Sequence, residues 1–469
     1  MSSTAAKTTT VHILVFPYPA QGHMLPLLDL AHQLALRGVR ITILVTPKNL
    51  PILNPLLSAH HPNPIQTLVL PFPPHPDLPS GIENVKDVGF SGICPIIVSL
   101  SKLEEPVIQW FQSHPSPPVA ILSDFFVGWT HHWAEKLNIP RIGFFSSGAF
   151  LTSLDAYIWR KVDRMLLLES PIVEFSDLPR SPSFVKEHLS FLSRAYKKGD
   201  SDSEIVKNGM LANAKSWGCV VNSFQALEGE YLDHMKNEMG CGRVYGVGPL
   251  SAMDGSESLR WVDPDSGIEN GVLKWLDKFS DGSVLYVCFG SQIQLNQPQI
   301  EALATGLERS NTRFMWVVKS NEWVPHGFEE RVVNRGLVVK GWAPQLKILS
   351  HKAIGGFLSH CGWNSVLESI VAGVMVLCWP MEADQFVNAR LLVEDHGLAI
   401  RVCEGKFTVP DPDELAKAIS ESLCGKMPQK EMARVMSKKA LETVKLGGRS
   451  IMDLEEFVKE LRQMEVSKM

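Results

Sequence analysis

The sequence predicts an α/β protein made of two doubly wound parallel sheets in tandem. Three observations lead there. The chain has 469 residues, more than one ordinary hydrophobic core accommodates. It opens with a strand–loop–helix–strand unit, and the same grammar returns in the second half with the same spacing between strand starts, 11 to 41 and 284 to 314. Hydrophobic residues make up 45% and charged residues 20%, enough apolar material for two cores without the charge excess of a disordered chain. The balance of 45 Lys and Arg against 50 Asp and Glu, net charge −5, offers no long-range attraction to nucleic acid or anionic lipid.

Taken in order, Val11–Phe16 reads as a buried strand, 17–22 as a Pro/Gly loop, and the segment through Arg37 as a helix closed by Gly38. Leu25, Leu28, Ala31, Leu34 and Ala35 carry the helical spacing, and Ile41–Val45 is the next strand. Pro62–Pro79 reads as a surface loop. The second unit runs from strand Val284–Phe289 through a helix near Pro298–Arg309 to strand Phe314–Val318. The expected division is 1–250 for the first domain, 251–269 for a turn-rich linker around Gly255 and Asp263–Gly267, and 270–450 for the second. Leu454, Phe457, Val458 and Leu461 sit at helical spacing, so 451–469 is expected as a helix packing back on the first domain.

The eight cysteines, 94, 219, 241, 288, 361, 378, 403 and 424, form no C-x-x-C pair and have no histidine placed to complete a zinc set. Several lie in apolar runs, as reduced buried thiols do. Residues 1–10 carry one charge, Lys7, and lack a signal peptide's apolar core. The most apolar later stretch, Ala353–Met381, is interrupted by His360, Asn364 and Glu368, which a bilayer would penalise. A cytoplasmic location and a monomer are the default expectations, and the charge run Arg194–Lys198 is assigned no partner.

Chemistry concentrates in one segment. Strand Ile354–Ser359 ends in Ser359-His-Cys-Gly-Trp-Asn-Ser365, after which Val366, Leu367, Ile370 and Val371 continue as a helix. A helix N-terminus offers unpaired N–H groups and partial positive charge, and Gly362 permits close backbone approach, so this is a phosphate site in form. Ser365 and Glu368 also match a S-x-x-E capping box, which needs no ligand. Trp342-Ala-Pro-Gln345 precedes this helix, and Trp379–Gln385 follows the next strand, Val374–Cys378. A lone Trp is more often core, and Asp384 could simply cap the helix starting near Phe386. Together they set an aromatic platform, a helix dipole and polar groups at successive strand ends, as nucleotide crevices are built.

In the first half, His23 lies where the first strand passes into its helix, and Asp124 ends the apolar run Val119–Leu122. An isolated His at a helix start is usually a cap or surface residue, and spacing alone does not pair it with Asp124. Histidine has an ordinary pKa of ~6.5, suited to general-base work near neutrality.

The segment 342–385, with Trp342-Ala-Pro-Gln345, His360–Ser365, Glu368 and Asp384-Gln385, resembles nearly position for position the signature box of plant secondary-product UDP-glycosyltransferases. The resemblance extends from Val11 through the C-terminal helix and implies the GT-B fold, two Rossmann-like domains facing across a cleft. It implies that Trp342 stacks on uracil, Ala343 bonds it through the backbone, and Gln345 and Glu368 bind the ribose. His360, Asn364 and Ser365 would hold the pyrophosphate beside Gly362; Trp363, Asp384 and Gln385 would read the sugar. Ser291, in Phe289-Gly-Ser291, and Ser146, in Phe145-Ser-Ser-Gly148, match additional donor-site hydroxyls. Tyr18–His23 resembles the family's general-base loop and Ser123-Asp124 its orienting acid.

The implied reaction is an inverting transfer from a UDP-sugar co-substrate, with no permanently bound cofactor and no metal, onto a hydroxyl of a small phenolic acceptor. Asp384-Gln385 points to UDP-glucose. The segments His132–Glu135, Arg141–Phe145 and Met381–Asp384 resemble a subgroup with flavonol 7-O-rhamnosyl-, hydroxybenzoate and flavonoid glycosyltransferases, so UDP-rhamnose or UDP-xylose is the alternative donor. Tyr18, Phe90, Phe125, Phe126 and Phe144 are candidate acceptor walls, each equally readable as a core aromatic. Other classes lack their signatures: no His has Asp four positions on, and neither G-x-S-x-G nor G-x-G-x-x-G occurs. A non-catalytic nucleotide-sugar binder is the reading from another class, against which the intact His23 argues.

Overall fold

The computed structural model describes residues 11–62, 65–165, 167–238, 242–253, 266–424 and 426–466. In the first lobe, β1 (His12–Phe16) leads into α1 (Gln21–Leu36) and β2 (Arg40–Val45). Gly38, with φ +79°, closes the helix in the left-handed conformation that glycine adopts without strain. β3 (Ile65–Val69), β4 (Ala120–Asp124), β5 (Arg141–Phe145), β6 (Gly218–Val221) and β7 (Val244–Gly246) complete a wholly parallel sheet of order β3-β2-β1-β4-β5-β6-β7. Four helices matter for the site: α2 (Thr130–Lys136), α3 (Ala149–Met165), α4 (Ser201–Ala212) and α5 (Gln225–Glu238). One expectation is corrected here. Pro62–Pro79 is not all loop, because Ile65–Val69 pairs with β2 from Ile41 to Val45. As an edge strand it is only half-buried, which is why its polar pattern hid it.

The second lobe repeats the plan with β8 (Val284–Cys288), α6 (Gln297–Arg309), β9 (Arg313–Val318), β10 (Gly336–Lys340), β11 (Ile354–Ser359), α7 (Trp363–Ala372), β12 (Val376–Cys378), α8 (Gln385–Arg390) and β13 (Ala399–Arg401). The sheet order is β10-β9-β8-β11-β12-β13, again all parallel. In both sheets the first strand is central and the order reverses beside it, which opens a crevice at the carboxyl ends of the strands. Two parallel Rossmann-like sheets of this kind make a GT-B architecture. The expected linker at 251–269 lies mostly outside the described residues, and a helix, Ser266–Leu276, overlaps its end.

The chain then returns. α9 (Pro428–Thr443) packs on α7, and α10 (Arg449–Val466) crosses to the first lobe. Leu454, Phe457, Val458 and Leu461 are fully buried in one core with Ile13, Leu30 and Ile41, and the Phe457 ring lies 5.3 Å from that of Tyr245. Ion pairs from Arg37 to Glu455 at 2.7 Å and from Arg243 to Glu460 at 3.1 Å flank this seam. Among the described residues no helix is long and apolar enough to cross a membrane.

Candidate active site

A cavity of about 690 Å³ lies between the lobes, at the carboxyl ends of β1, β4, β8 and β11. The first lobe supplies a histidine–carboxylate pair to it. His23 stands in the first turn of α1, and its Nδ1 lies 3.1 and 3.0 Å from the two carboxylate oxygens of Asp124. Asp124 is fully buried and also accepts the Phe126 N–H at 2.9 Å. Behind it, the buried Arg141 guanidinium donates to the Asp124 carbonyl at 3.2 Å and to Ser123 Oγ at 2.9 Å. Burial lowers that guanidinium to about 10, still charged at neutrality. The His23 ring is wedged between Phe125, stacked at 5.3 Å, and Phe126 at 4.5 Å, with Tyr18 edge-on at 5.3 Å. One nitrogen is thus held by the carboxylate and the ring plane is fixed, with Nε2 the nitrogen not engaged by Asp124.

The second lobe supplies a helix end and a polar network. The N-cap of α7 is Gly362, not Ser365, and no side chain of the helix caps it. The capping-box reading fails because Ser365 is the third helical residue. Its Oγ accepts the Gln345 amide at 3.0 Å, and Glu368 Oε2 accepts it at 2.8 Å. Tyr286, which sequence reasoning passed over, donates its hydroxyl to Gln345 Oε1 at 3.3 Å. Trp342 and Ala343 are partly exposed on the same wall, whereas Trp379 is a core residue set edge-on to Phe289.

His360 also faces the cavity. Burial holds it down at about 4, so it is neutral near pH 7, and its Nδ1 has no partner. The chain makes room for it with two glycines: a Cβ on Gly290 would come within 2.7 Å of the ring and one on Gly362 within 2.6 Å. Gly362 therefore makes room for its histidine neighbour. Asn364, Ser291 and Ser146 join the same walls.

Asp384 does not cap its own helix. Its Oδ2 accepts the Trp363 N–H at 3.2 Å and the Asn388 amide at 2.7 Å, so it caps α7 from the next strand end. Burial raises its pKa. Gln385 turns its carbonyl oxygen to the N–H groups of Met381 and Glu382, at 2.9 and 3.0 Å, leaving only its amide nitrogen for a ligand. Trp363 lines the cavity, yet its indole N–H donates across the cleft to the Asn222 carbonyl at 2.8 Å.

Of the expected acceptor walls, Phe125 and Phe126 line the cavity. Phe144 does not: it is fully buried in the core beneath α10, because side chains alternate along β5 and its neighbour Phe145 takes the other face. Tyr18 is fully buried, donating to the Ile93 carbonyl at 3.1 Å, and supports His23 from behind. Phe90 sits outside the cavity lining, partly buried, with Lys406 Nζ 5.6 Å from its ring. Sequence reasoning missed Asn222, Glu228 and Asp155. Glu228 accepts the N–H groups of Ala149 and Phe150, both at 2.8 Å, and so anchors the loop carrying Ser146. Asp155 had a signal: an acid among Leu151, Leu154, Ile158 and Trp159 on one helical face.

Among the described residues one trio could gather round a metal ion, His75, Asp77 and Asp202. It lies off the cavity, and both ring nitrogens are engaged: Nε2 with Asp202 at 2.9 Å, and Nδ1 as acceptor of the Asp77 N–H at 3.1 Å.

Residues 272–441 match the family described as UDP-glucoronosyl and UDP-glucosyl transferase. UDP-glycosyltransferase 89A2 of Arabidopsis thaliana is 50% identical, over 97% of this chain and 96% of its own. The chain belongs to the plant family-1 UDP-glycosyltransferases. Flavonol 3-O-glucosyltransferase UGT89B1 of the same plant is 45% identical to this UDP-glycosyltransferase over 98% of both chains. The crystal structure of Arabidopsis thaliana UGT89C1 complexed with UDP-L-rhamnose superposes with a TM-score of 0.79 at 38% identity, covering 97% of this chain and 99% of that one. The enzyme is thus a GT-B glycosyltransferase whose donor is a UDP-sugar.

Proposed function

We propose that this glycosyltransferase moves glucose from UDP-glucose onto a hydroxyl of a small phenolic acceptor such as a flavonoid or a hydroxybenzoate, with inversion at the anomeric carbon. Residues 1–250 form its acceptor side and 270–450 its donor side. The observation that carries this reading is the His23–Asp124 pair, at 3.0 Å, sharing one cavity with the N-terminus of α7. His23 Nε2 takes the proton of the acceptor hydroxyl as its oxygen attacks the anomeric carbon, and Asp124 steadies the imidazolium. The bond from that carbon to the diphosphate breaks, and the charge leaves with UDP. The dipole of α7, neutral His360 and the amide of Asn364 stabilise it. Trp342 stacks on the base, Ala343 bonds it through its backbone, and Gln345 and Glu368 take the ribose. Ser146, Ser291, Ser365, Asp384 and Gln385 complete the donor contacts. No metal takes part.

Two things support glucose over rhamnose: Gln385 after Asp384, and the greater identity to the flavonol 3-O-glucosyltransferase, 45%, than to the relative crystallised with UDP-L-rhamnose, 38%. Mass spectrometry of kaempferol and 4-hydroxybenzoate incubated with mixed UDP-sugars tests donor and acceptor class together. A hexose increment is expected, and a deoxyhexose or pentose increment overturns the glucose assignment. Proton NMR of the first-formed product tests the stereochemistry, a β-glucoside being expected.

A further inference from the structure

A second cavity of about 680 Å³ lies in the first lobe, between α2, α3 and α4, and shares two walls with the catalytic cavity: Phe125 and Asp155. Its sides are aromatic. Trp129 and Trp133 pack with ring centroids 4.8 Å apart, Phe145 stacks on Phe125 at 5.5 Å, and Trp159 lies on α3. The indole N–H groups of Trp129 and Trp159 are buried without a partner, although buried indoles normally find one. The outer rim is polar, with the Arg160–Glu238 ion pair, Lys215 and His132. Aromatic walls, a few unsatisfied polar groups and a volume within the ~300–1,000 Å³ of small-molecule sites describe a pocket for a flat aryl ligand.

Asp155 stands at the junction. It is only 6% exposed, its Oδ1 has no partner, and it borders both cavities. An acid so buried without a hydrogen bond is costly unless something completes it. Burial, with Asp384 nearby, pushes it up to about 7, so near neutrality it offers both a donor and an acceptor to a hydroxyl.

We propose that this chamber is an aryl-binding extension of the acceptor site, holding the far ring of an elongated phenolic acceptor, with Asp155 as the doorway residue that hydrogen-bonds a hydroxyl of that ligand. The proposal rests on the phenolic-acceptor reading and deepens it. A single-ring acceptor reaches His23 without entering the chamber, whereas a three-ring flavonol extends past Phe125 into it. Filling the chamber therefore penalises the long acceptor alone.

The test uses Ala156→Phe, which fills the chamber from α3, and Asn208→Trp, which fills it from its exposed edge on α4. With kaempferol, KM is expected to rise about tenfold in both variants with kcat little changed, equivalent to ~1.4 kcal/mol. With 4-hydroxybenzoate, KM should stay within about twofold, which also reports that the variants are folded. Asp155→Leu should raise KM for kaempferol and Asp155→Asn should restore it. Equal losses for both acceptors, or none for kaempferol, overturn the proposal. If the parent enzyme glycosylates neither phenol, the phenolic reading fails separately. The chamber is then judged by quenching of tryptophan fluorescence with unsubstituted flavone: saturable quenching lost in Ala156→Phe supports it, and absence of saturable quenching in the parent overturns it.

Discussion

The indole N–H of Trp363 donates to the backbone carbonyl of Asn222, 2.8 Å away in the other lobe. The residue at the first position of α7 is therefore a strut across the cleft. Asn364 repeats the arrangement, its amide reaching the Gly22 carbonyl at 3.2 Å beside His23. The first turn of α7 is thus bonded to the loop bearing the candidate base.

Trp363→Phe keeps an aromatic side chain but removes that N–H together with the five-membered part of the indole. Loss of one buried hydrogen bond is worth about 1 kcal/mol, and the lost packing adds to it, so a several-fold rise in KM for both donor and acceptor is expected with a modest fall in melting temperature. Steady-state kinetics and thermal denaturation measure the two; an unchanged KM for both would show that the strut does not contribute to closure.

His23→Ala should lower kcat by about 10²–10⁴-fold, the usual contribution of a general base. Asp124→Asn should lose less. Calorimetric UDP binding should be preserved in His23→Ala, because the proposed donor groups come mainly from the other lobe. Full activity in the alanine variant would remove His23 from the mechanism.

Gly290→Ala tests how His360 is held. The glycine has φ +71°, and an added Cβ would meet the imidazole at 2.7 Å. Backbone strain and displacement of the ring act together, at a cost of about 1–3 kcal/mol. UDP affinity measured by calorimetry should drop by tenfold or more.

Much of this is legible in the sequence. Both βαβ units and β11 followed from continuous apolar runs, because strands buried on both faces need no polar alternation. The pairing of His23 with Asp124 was not legible from spacing, since it depends on β1 and β4 being neighbours in the sheet. Phe144 and Phe145 show the same limit: adjacent aromatics in a strand are indistinguishable until the sheet's faces are known. Arg194, in a charge run to which the sequence assigns no partner, pairs with buried Glu382 of the second lobe. Nothing local in either segment encodes such a long-range partner.

Stability should fall as the pH drops from about 6.5 to 4. Burial holds His12, His32 and His360 each at about 4 in the folded protein, against ~6.5 in an unfolded chain. In that window the unfolded state binds more protons, so acid favours unfolding. Asp155, raised to about 7, acts in the opposite sense: its contribution is present at low pH and lost as the pH rises through 7. Glu228, Asp384 and Asp453, also raised by burial, act with Asp155, whereas His60, His131, His188 and His396, lowered by burial, act with the first three histidines. Seven histidines against four acids predict a falling melting temperature on acidification, checked by calorimetry at constant ionic strength.

Activity should persist in excess EDTA, since the proposed mechanism gives the leaving-group charge to neutral and dipolar donors and the one described trio suited to a cation lies off the cavity. Complete loss, restored by Mg²⁺ or Mn²⁺, would require a different account of the leaving group.

The return of α10 to the first lobe gives the molecule two covalent crossings, one near residue 253 and one near 448. Cutting the chain between α9 and α10 would leave the seam of Leu454, Phe457, Val458 and Leu461 held to the second lobe by noncovalent contacts alone.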